Sequence, residues 1–207
     1  MTPPRARRPQ VPMEQRRAEL TEVALRVMAR EGAWALTTRA LAKEADVPHG
    51  SVHYAFSSKA EIVRSVITAD TDSAVQIFGG VDVDGASPGE TLGRAFTAYL
   101  DRLIADPQTE LVLQELTLMA VRDPELAALM AESSIGYGAS LGKLLATLAE
   151  QTGRTWDAPL PVIVEQLLGL LFGTTQAWLL HRDDERLRCA LADAARLYGA
   201  RLEQVAE

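Results

Sequence analysis

A single cysteine stands in the 207 residues. Cys189 therefore has no partner for an internal disulfide and no companions for a Cys-based zinc site, and a reducing compartment, the cytoplasm, is its natural setting. Glycine (14) and proline (10) are too sparse for a fibrous chain, while an apolar share of 47% is too high for a disordered one. One large or two small folded domains are expected. No apolar core follows the basic start MTPPRARRPQVP, which excludes a secretory signal there. Four prolines and the absence of apolar periodicity make residues 1–12 a basic, Pro-rich flexible arm in expectation. Long apolar runs are scarce as well. The most apolar stretch, QLLGLLFGTTQAWLL at 166–180, is uncharged but shorter than the ~20 residues a membrane span needs, so a buried helix and no membrane partner are expected.

Positive charge is also short. With 28 acidic against 21 basic residues the chain carries a net charge of −7, a sum that argues against a nucleic-acid partner unless the charges are unevenly placed. They are. Residues 1–64 hold 11 Lys and Arg against 7 Asp and Glu, whereas residues 65–207 hold 10 against 21. The first third is basic and the remainder acidic, which is the polarity of a chain that meets phosphate with one end only.

No stretch shows the strict alternation of a half-buried strand, and apolar residues recur instead at steps of three and four. The expected fold class is all-α. Leu20, Val23, Ala24, Val27 and Met28 mark a first helix ending near Glu31 and Gly32, where Gly32 can take a left-handed stop conformation. Leu41, Ala45, Val47, Val52 and Ala55 form a shorter pattern, followed by a long one through Ile62, Val63, Val66, Ile67, Ala74, Ile77 and Phe78. The run GGVDVDGASPGE ends that helix and is the best boundary in the chain. Further helices are expected near 89–105, 108–121, 124–150, 160–181 and 184–205. The domain reading is an arm at 1–12, a small helical domain at 13–73 and a larger one at 74–207.

The informative segment is 36–61, LTTRALAKEADVPHGSVHYAFSSKAE. Thr37 can cap a helix opening with Thr38, Arg39 and Ala40, and small Ala42 lets a neighbouring helix cross closely. Asp46, Val47 and Pro48 leave room only for a tight corner. Val52 and Ala55 then turn one face of a second short helix inward, so that His49, Ser51, His53 and Tyr54 point mainly outward. Two helices joined by such a turn make a helix-turn-helix, whose second helix is free to enter a major groove. Ser58 to Glu61 reads as an S-x-x-E capping box opening the next helix.

With its first helix, TTRALA, V-P-x-G-S-V-x-Y-x-F and SSKAEIV, the stretch from Arg17 to Val63 resembles the DNA-binding domain of the TetR/AcrR family of transcriptional regulators. The resemblance implies an N-terminal three-helix helix-turn-helix domain followed by a larger helical ligand-binding and dimerisation domain. It implies contacts to double-stranded operator DNA from Thr38 and Arg39, from His49, Gly50 and Ser51 at the start of the recognition helix, from His53 and Tyr54 along the groove, and from Lys59. The chain departs from the common pattern where His53 replaces Tyr, Asp46 replaces Gly and Pro48 replaces Ser. Asp tolerates the left-handed conformation, so the turn survives, but the bases read can differ. His49 and His53, four apart, lack the carboxylate or third ligand that a metal site would need, so no metal is expected.

In the second half, apolar residues from Leu160 to Leu180 cover nearly all sides of one helix, and Leu187, Leu191, Ala194, Leu197, Tyr198 and Leu202 stripe the last one. Two such helices from each protomer would build a two-fold four-helix interface, so a homodimer through the last two helices is expected. A small-molecule effector should sit among the middle helices, with Phe96, Tyr99, Leu116, Met119, Tyr137, Phe172 and Trp178 as candidate lining and Gln176 as a polar anchor. Gly136, Gly138 and Gly142 mimic a dinucleotide loop, but no strand precedes them, and close helix packing is the better reading. No Ser/His/Asp set, carboxylate pair or phosphate loop appears in supporting context, so neither catalytic residues nor a cofactor are expected. The function so implied is a ligand-responsive regulator, most simply a repressor released from a palindromic operator. An activator on the same fold, or a helical small-molecule binder without a specific DNA site, is the alternative.

Overall fold

The computed structural model describes residues 12–83 and 85–204. The basic arm expected at 1–12 lies, up to residue 11, outside the described residues. The described chain is helical with one minor strand pair and divides into two compact units, Met1–Val66 and Ile67–Glu207.

The first unit is built on α1 (Met13–Glu31), whose Leu20, Val23, Ala24, Val27 and Met28 face inward as the three-four spacing requires. Gly32 ends it with φ 91° and ψ 153°. The positive φ needs glycine, but the chain leaves extended and not through the expected left-handed turn; a Cβ there would lie 2.4 Å from the Trp34 ring folded over it. A 3₁₀ turn, Ala33–Ala35, leads to α2 (Thr38–Glu44) and α3 (His49–Ala55). Leu36, Leu41, Val52, Phe56 and Ile62 are fully buried, as are Leu20, Val27 and Met28 of α1. Arg17 ties the package shut. Its guanidinium donates to the Ala55 carbonyl at 3.0 Å and to Glu61 at 2.6 Å while stacking 4.8 Å above the Phe56 ring. α4 (Lys59–Gly79) begins in this unit and continues past its boundary.

The second unit holds α5 (Pro88–Ala105), α6 (Pro107–Ala120), α7 (Pro124–Thr152), α8 (Leu160–His181) and α9 (Asp184–Gly199). Three of these start with Ser or Asp followed by Pro: Ser87, Asp106 and Asp123 each cap backbone N–H groups, and the proline fills a position whose N–H would be unbonded anyway. Ser87 and Glu90 form a full reciprocal capping box. α5 pairs most extensively with α9, and the core runs from Leu92, Phe96 and Leu103 through Leu141 and Leu145 to Leu167, Leu171 and Leu191. α8 is long and apolar enough to cross a membrane by length and composition. Its Ile163, Leu167, Leu168, Leu171, Thr175 and Trp178 stripe is buried in this unit, whereas Val162, Phe172 and Leu180 are exposed. One face of the helix thus serves the core of its own chain, and the other is left outward.

The last helix stops at Gly199 and not at 205. Residues Leu202–Gln204 form β2, antiparallel to β1 (Arg154–Trp156) with Trp156 opposite Leu202. Three-residue strands are too short to show an alternation, which is why the pattern hid them. Gly199 ends α9 where its backbone crosses that of α5: a Cβ there would stand 2.4 Å from the Gly89 nitrogen. Gly199→Ala is accordingly expected to destabilise the chain by about 1–3 kcal/mol, because backbone cannot yield as a side chain does. A thermal melt followed by circular dichroism reads this, and an unchanged midpoint would contradict the close crossing. Of the α7 glycines, Gly136 alone is tight, and Gly138 and Gly142 leave room for ordinary contact. A Cβ on Gly136 would meet Thr71 Cγ2 at 2.7 Å, and Gly138 and Gly142 face Val164 and Leu168 of α8.

Candidate nucleic-acid interface

The corner between α2 and α3 is set by local chemistry. The Thr37 hydroxyl accepts from Ala40 N–H at 3.0 Å and caps α2. Asp46 takes φ 50°, the left-handed turn in which Asp is tolerated. Leu41, Ala42, Val52 and Ala55 are buried, and the opposite sides of both helices are left outward. Thr38 Oγ1 lies 2.9 Å from His49 Nε2, so the first residue of α2 is hydrogen-bonded to the first residue of α3. His49 in turn meets His53 edge-on, ring centroids 4.4 Å apart. Arg39, His49, Gly50, His53, Tyr54 and Lys59 are exposed, Tyr54 at 68%, and Thr38 and Ser51 are half-buried. All eight sequence-derived candidates thus lie on α2, α3 and the first residue of α4. The sequence reading did not single out Trp34, 68% exposed in the 3₁₀ turn just ahead of α2.

Charge on this unit is sorted as well as summed. Glu44 is held by two hydrogen bonds from Arg30, at 3.0 and 2.9 Å, which lower its pKa. Glu61 accepts from the Ser57 backbone N–H and from Arg17, which hold it down at about 2. The expected capping box is therefore half made: Ser58 Oγ accepts from Glu61 N–H at 3.1 Å, but the Glu61 carboxylate reaches past Ser58 to Ser57. With both acids occupied by α1 arginines, Arg39 and Lys59 have no acidic partner among the described residues.

The effector candidates sit in the second unit. Phe96, Tyr99 and Trp178 are buried in its core, Leu116 is buried, Met119 and Tyr137 are half-buried, and Phe172 and Gln176 are exposed. Two contacts join members of this set or reach beside them: Tyr137 and Phe172 meet edge-on at 5.8 Å, and Tyr99 bonds Thr175 at 2.6 Å. Trp178 Nε1 donates to Asp184 at 2.7 Å and lines a hollow of about 210 Å³ between the end of α8 and the start of α9. The sequence reading missed a polar cluster beside Tyr99 and Tyr137. Arg102 donates to Asp70 at 2.8 Å and lies 3.7 Å from Glu110, and the Tyr137 hydroxyl donates to Asp70. The signal was present, since Asp70 falls three residues after Ile67 and four before Ala74, a charged residue on the inward face of α4. Among the described residues no group of three or more His, Cys, Asp or Glu side chains is placed to hold a metal.

Residues 20–66 match the family model described as bacterial regulatory proteins, tetR family. The chain is 26% identical over 141 residues, 68% of its length and 72% of the other, to the HTH-type nicotine-responsive transcriptional repressor HdnoR of Paenarthrobacter nicotinovorans. Among solved structures it is similar to a TetR transcription regulator from Haloarcula marismortui (TM-score 0.77, 17% identity, 92% and 100% of the two chains). It is also similar to the fatty acid degradation regulator FadR from Bacillus halodurans (TM-score 0.75, 21% identity, 95% and 100%).

Proposed function

Because the chain belongs to the tetR family of bacterial regulatory proteins, DNA-binding transcription regulators with a helix-turn-helix, we propose that it is a repressor that holds a palindromic operator as a homodimer and is released by a small molecule. The observation that carries this reading is the outward surface of α2 and α3, where a hydrogen bond between Thr38 and His49 fixes one helix against the other and Arg39, His53 and Tyr54 have no acidic partner among the described residues. Thr38 and Arg39 at the α2 N-terminus suit a phosphate, which is drawn by free N–H groups, a hydroxyl and a guanidinium. His53 and Tyr54 suit base edges. Gly50 has open space where a Cβ would stand and no positive φ, so its bareness serves an approaching backbone and not its own fold. Lys59 suits a flanking phosphate, where its charge adds to the dipole of α4.

In this reading residues 1–12 are a basic arm, 13–73 the DNA reader and 74–207 the effector and dimer domain, and the protein works in the cytoplasm, where the operator is. Ligand control by a small molecule is supported by the relative described as nicotine-responsive. An effector lowers operator affinity only by as much as it prefers the state that does not fit DNA. Dimerisation through α8 and α9 is supported by their outward apolar residues: Leu180 is 77% exposed and Leu197 58%. Leu180→Arg is expected to turn the dimer into monomer in sedimentation velocity while leaving helix content unchanged, and a dimer of unchanged mass would sink the α8 assignment.

Mobility shift with the DNA flanking the chain's own coding region, repeated across salt concentrations, tests the reading. Specific retention by an inverted repeat is the expected result, and its absence would overturn the proposal. Lys59→Ala is expected to weaken specific and non-specific DNA alike and to reduce the salt slope by about one per protomer. A slope equal to that of the unaltered chain would remove Lys59 from the phosphate contacts.

A further inference from the structure

We propose that the buried cluster of Asp70, Arg102, Glu110 and Tyr137 recognises an organic monocation, the charged nitrogen of a small amine; this names the effector class for the regulator proposed above and rests on that reading. Four helices supply one residue each: Asp70 from α4, Arg102 from α5, Glu110 from α6 and Tyr137 from α7. Their hydrogen bonds are unequally shared. Asp70 takes two N–H groups of Arg102 on one oxygen and the Tyr137 hydroxyl on the other. Glu110, 5% exposed, is left with Arg102 Nη2, the nitrogen that already donates to Asp70, at 3.7 Å, beyond hydrogen-bond reach, and accepts no hydrogen bond among the described residues.

Two carboxylates therefore share one guanidinium, and the cluster is one positive charge short. A buried carboxylate in that state takes up a proton or a cation. Burial, and then the neighbouring Asp70 charge, push Glu110 up to about 7, so a proton competes with a cation for the place. The groups facing Glu110 are Asp70, Arg102, Asp106 and Tyr99, with Tyr137 behind Asp70; the Tyr99 hydroxyl is itself held neutral by burial. An ammonium group supplies both the missing charge and the missing donors. A carboxylate or phosphate ligand would need Arg102, which Asp70 already engages, and would face two acids. A neutral ligand would leave the deficit unchanged. Around the cluster, the rings of Tyr137 and Phe172 offer aromatic surface of the kind that favours cations and aryl groups. The cluster is not sealed, since the Arg102 side chain is 23% exposed and Tyr137 is half-buried.

Calorimetric titration of the full chain with 2-phenylethylamine, 2-phenylethanol and phenylacetate, which share one skeleton and differ in charge, tests this. The amine is expected to bind at least tenfold more tightly than the alcohol, and phenylacetate not to bind. Because the ligand displaces the Glu110 proton, amine affinity is expected to rise about tenfold from pH 6 to pH 8, a window in which an alkyl amine stays protonated. Glu110→Gln should abolish both the preference and the pH dependence; should that variant not fold, the charge series and pH dependence of the unaltered chain decide. Alcohol or phenylacetate binding as tightly, no binding of any of the three, or amine binding untouched by Glu110→Gln would each overturn the site. Operator release is read separately by mobility shift. A chain that holds its operator and yields only to neutral or anionic compounds overturns the cation site and keeps the effector reading. A chain that holds no operator overturns that reading, and calorimetry still decides the site.

Discussion

Arg102→Ala is expected to lower the stability of the second unit by about 3 kcal/mol or more at pH 8, and by clearly less at pH 5. Removing one partner of a buried ion pair typically costs about 3–5 kcal/mol, because the charge left behind has lost its water and its counter-ion together. Here two charges are left. Among the described residues, Asp70 loses the one guanidinium that bonds it and Glu110 the one cation beside it. Arg102 is partly solvated, with 23% of its side chain exposed, so the lower end of that range is the appropriate one. For a chain of this size the loss corresponds to a fall in thermal midpoint of about 10 °C.

The pH dependence follows from the direction of the shifts. Burial raises Asp70, and burial with Asp70 beside it raises Glu110 to about 7, so the folded state binds these protons more tightly than the unfolded one. Stability contributed by such groups is full below the unfolded carboxylate pKa and is lost as pH rises toward the folded value. Arg102 is the cation that opposes both shifts. Without it the folded values climb further, and the penalty of the substitution grows from pH 5 to pH 8 as the acids are forced to ionise. Urea melts at the two pH values measure this. A loss equal at both, or under about 1 kcal/mol at pH 8, would mean that water or a rearranged side chain replaces the guanidinium.

Much of the first unit was legible because its signals are short-range. A threonine before a three-four apolar pattern, an Asp able to take φ 50°, and Ala42 where two helices touch each have one dominant local solution, and the folded chain adopts it at all three positions. The miss at Glu61 is of another kind. S-x-x-E specifies a cap, but Arg17, 44 residues earlier in the chain, competes for the carboxylate, and no local rule contains that partner. The same holds for β2, which exists because β1 lies within reach, and for Glu110, whose importance comes from Asp70 and Arg102 on other helices. Aromatic residues were the natural first choice for a pocket, yet Phe96, Tyr99 and Trp178 are mainly core, and the more distinctive chemistry is the charge buried beside Tyr99 and Tyr137. Buried charge on an inward helix face is a rarer and therefore sharper signal than a buried ring.

Tyr54→Ala is expected to reduce operator affinity by about thirtyfold to twenty-five-thousandfold while leaving affinity for unrelated duplex nearly unchanged. The size comes from symmetry. A good base contact is worth about 1–3 kcal/mol of discrimination, and a homodimer loses it at both half-sites, doubling the free energy and squaring the factor. The selectivity comes from position. Tyr54 is 68% exposed on α3 and contributes nothing to the unit's core, which is closed by Val52 and Ala55 on the other side of the same helix and by Phe56 just after it. Its removal should therefore leave the melting temperature within a degree or two, and any loss of binding is then a loss of contact and not of fold. Lys59 provides the control, since a phosphate contact falls equally on specific and unrelated DNA. If Tyr54→Ala weakens both to the same degree, the ring rests on the sugar-phosphate backbone and α3 reads sequence through His53 or Ser51. If it weakens neither, the helix that enters the groove is not presented as its exposed face indicates, and the assignment of α3 as the reading element fails.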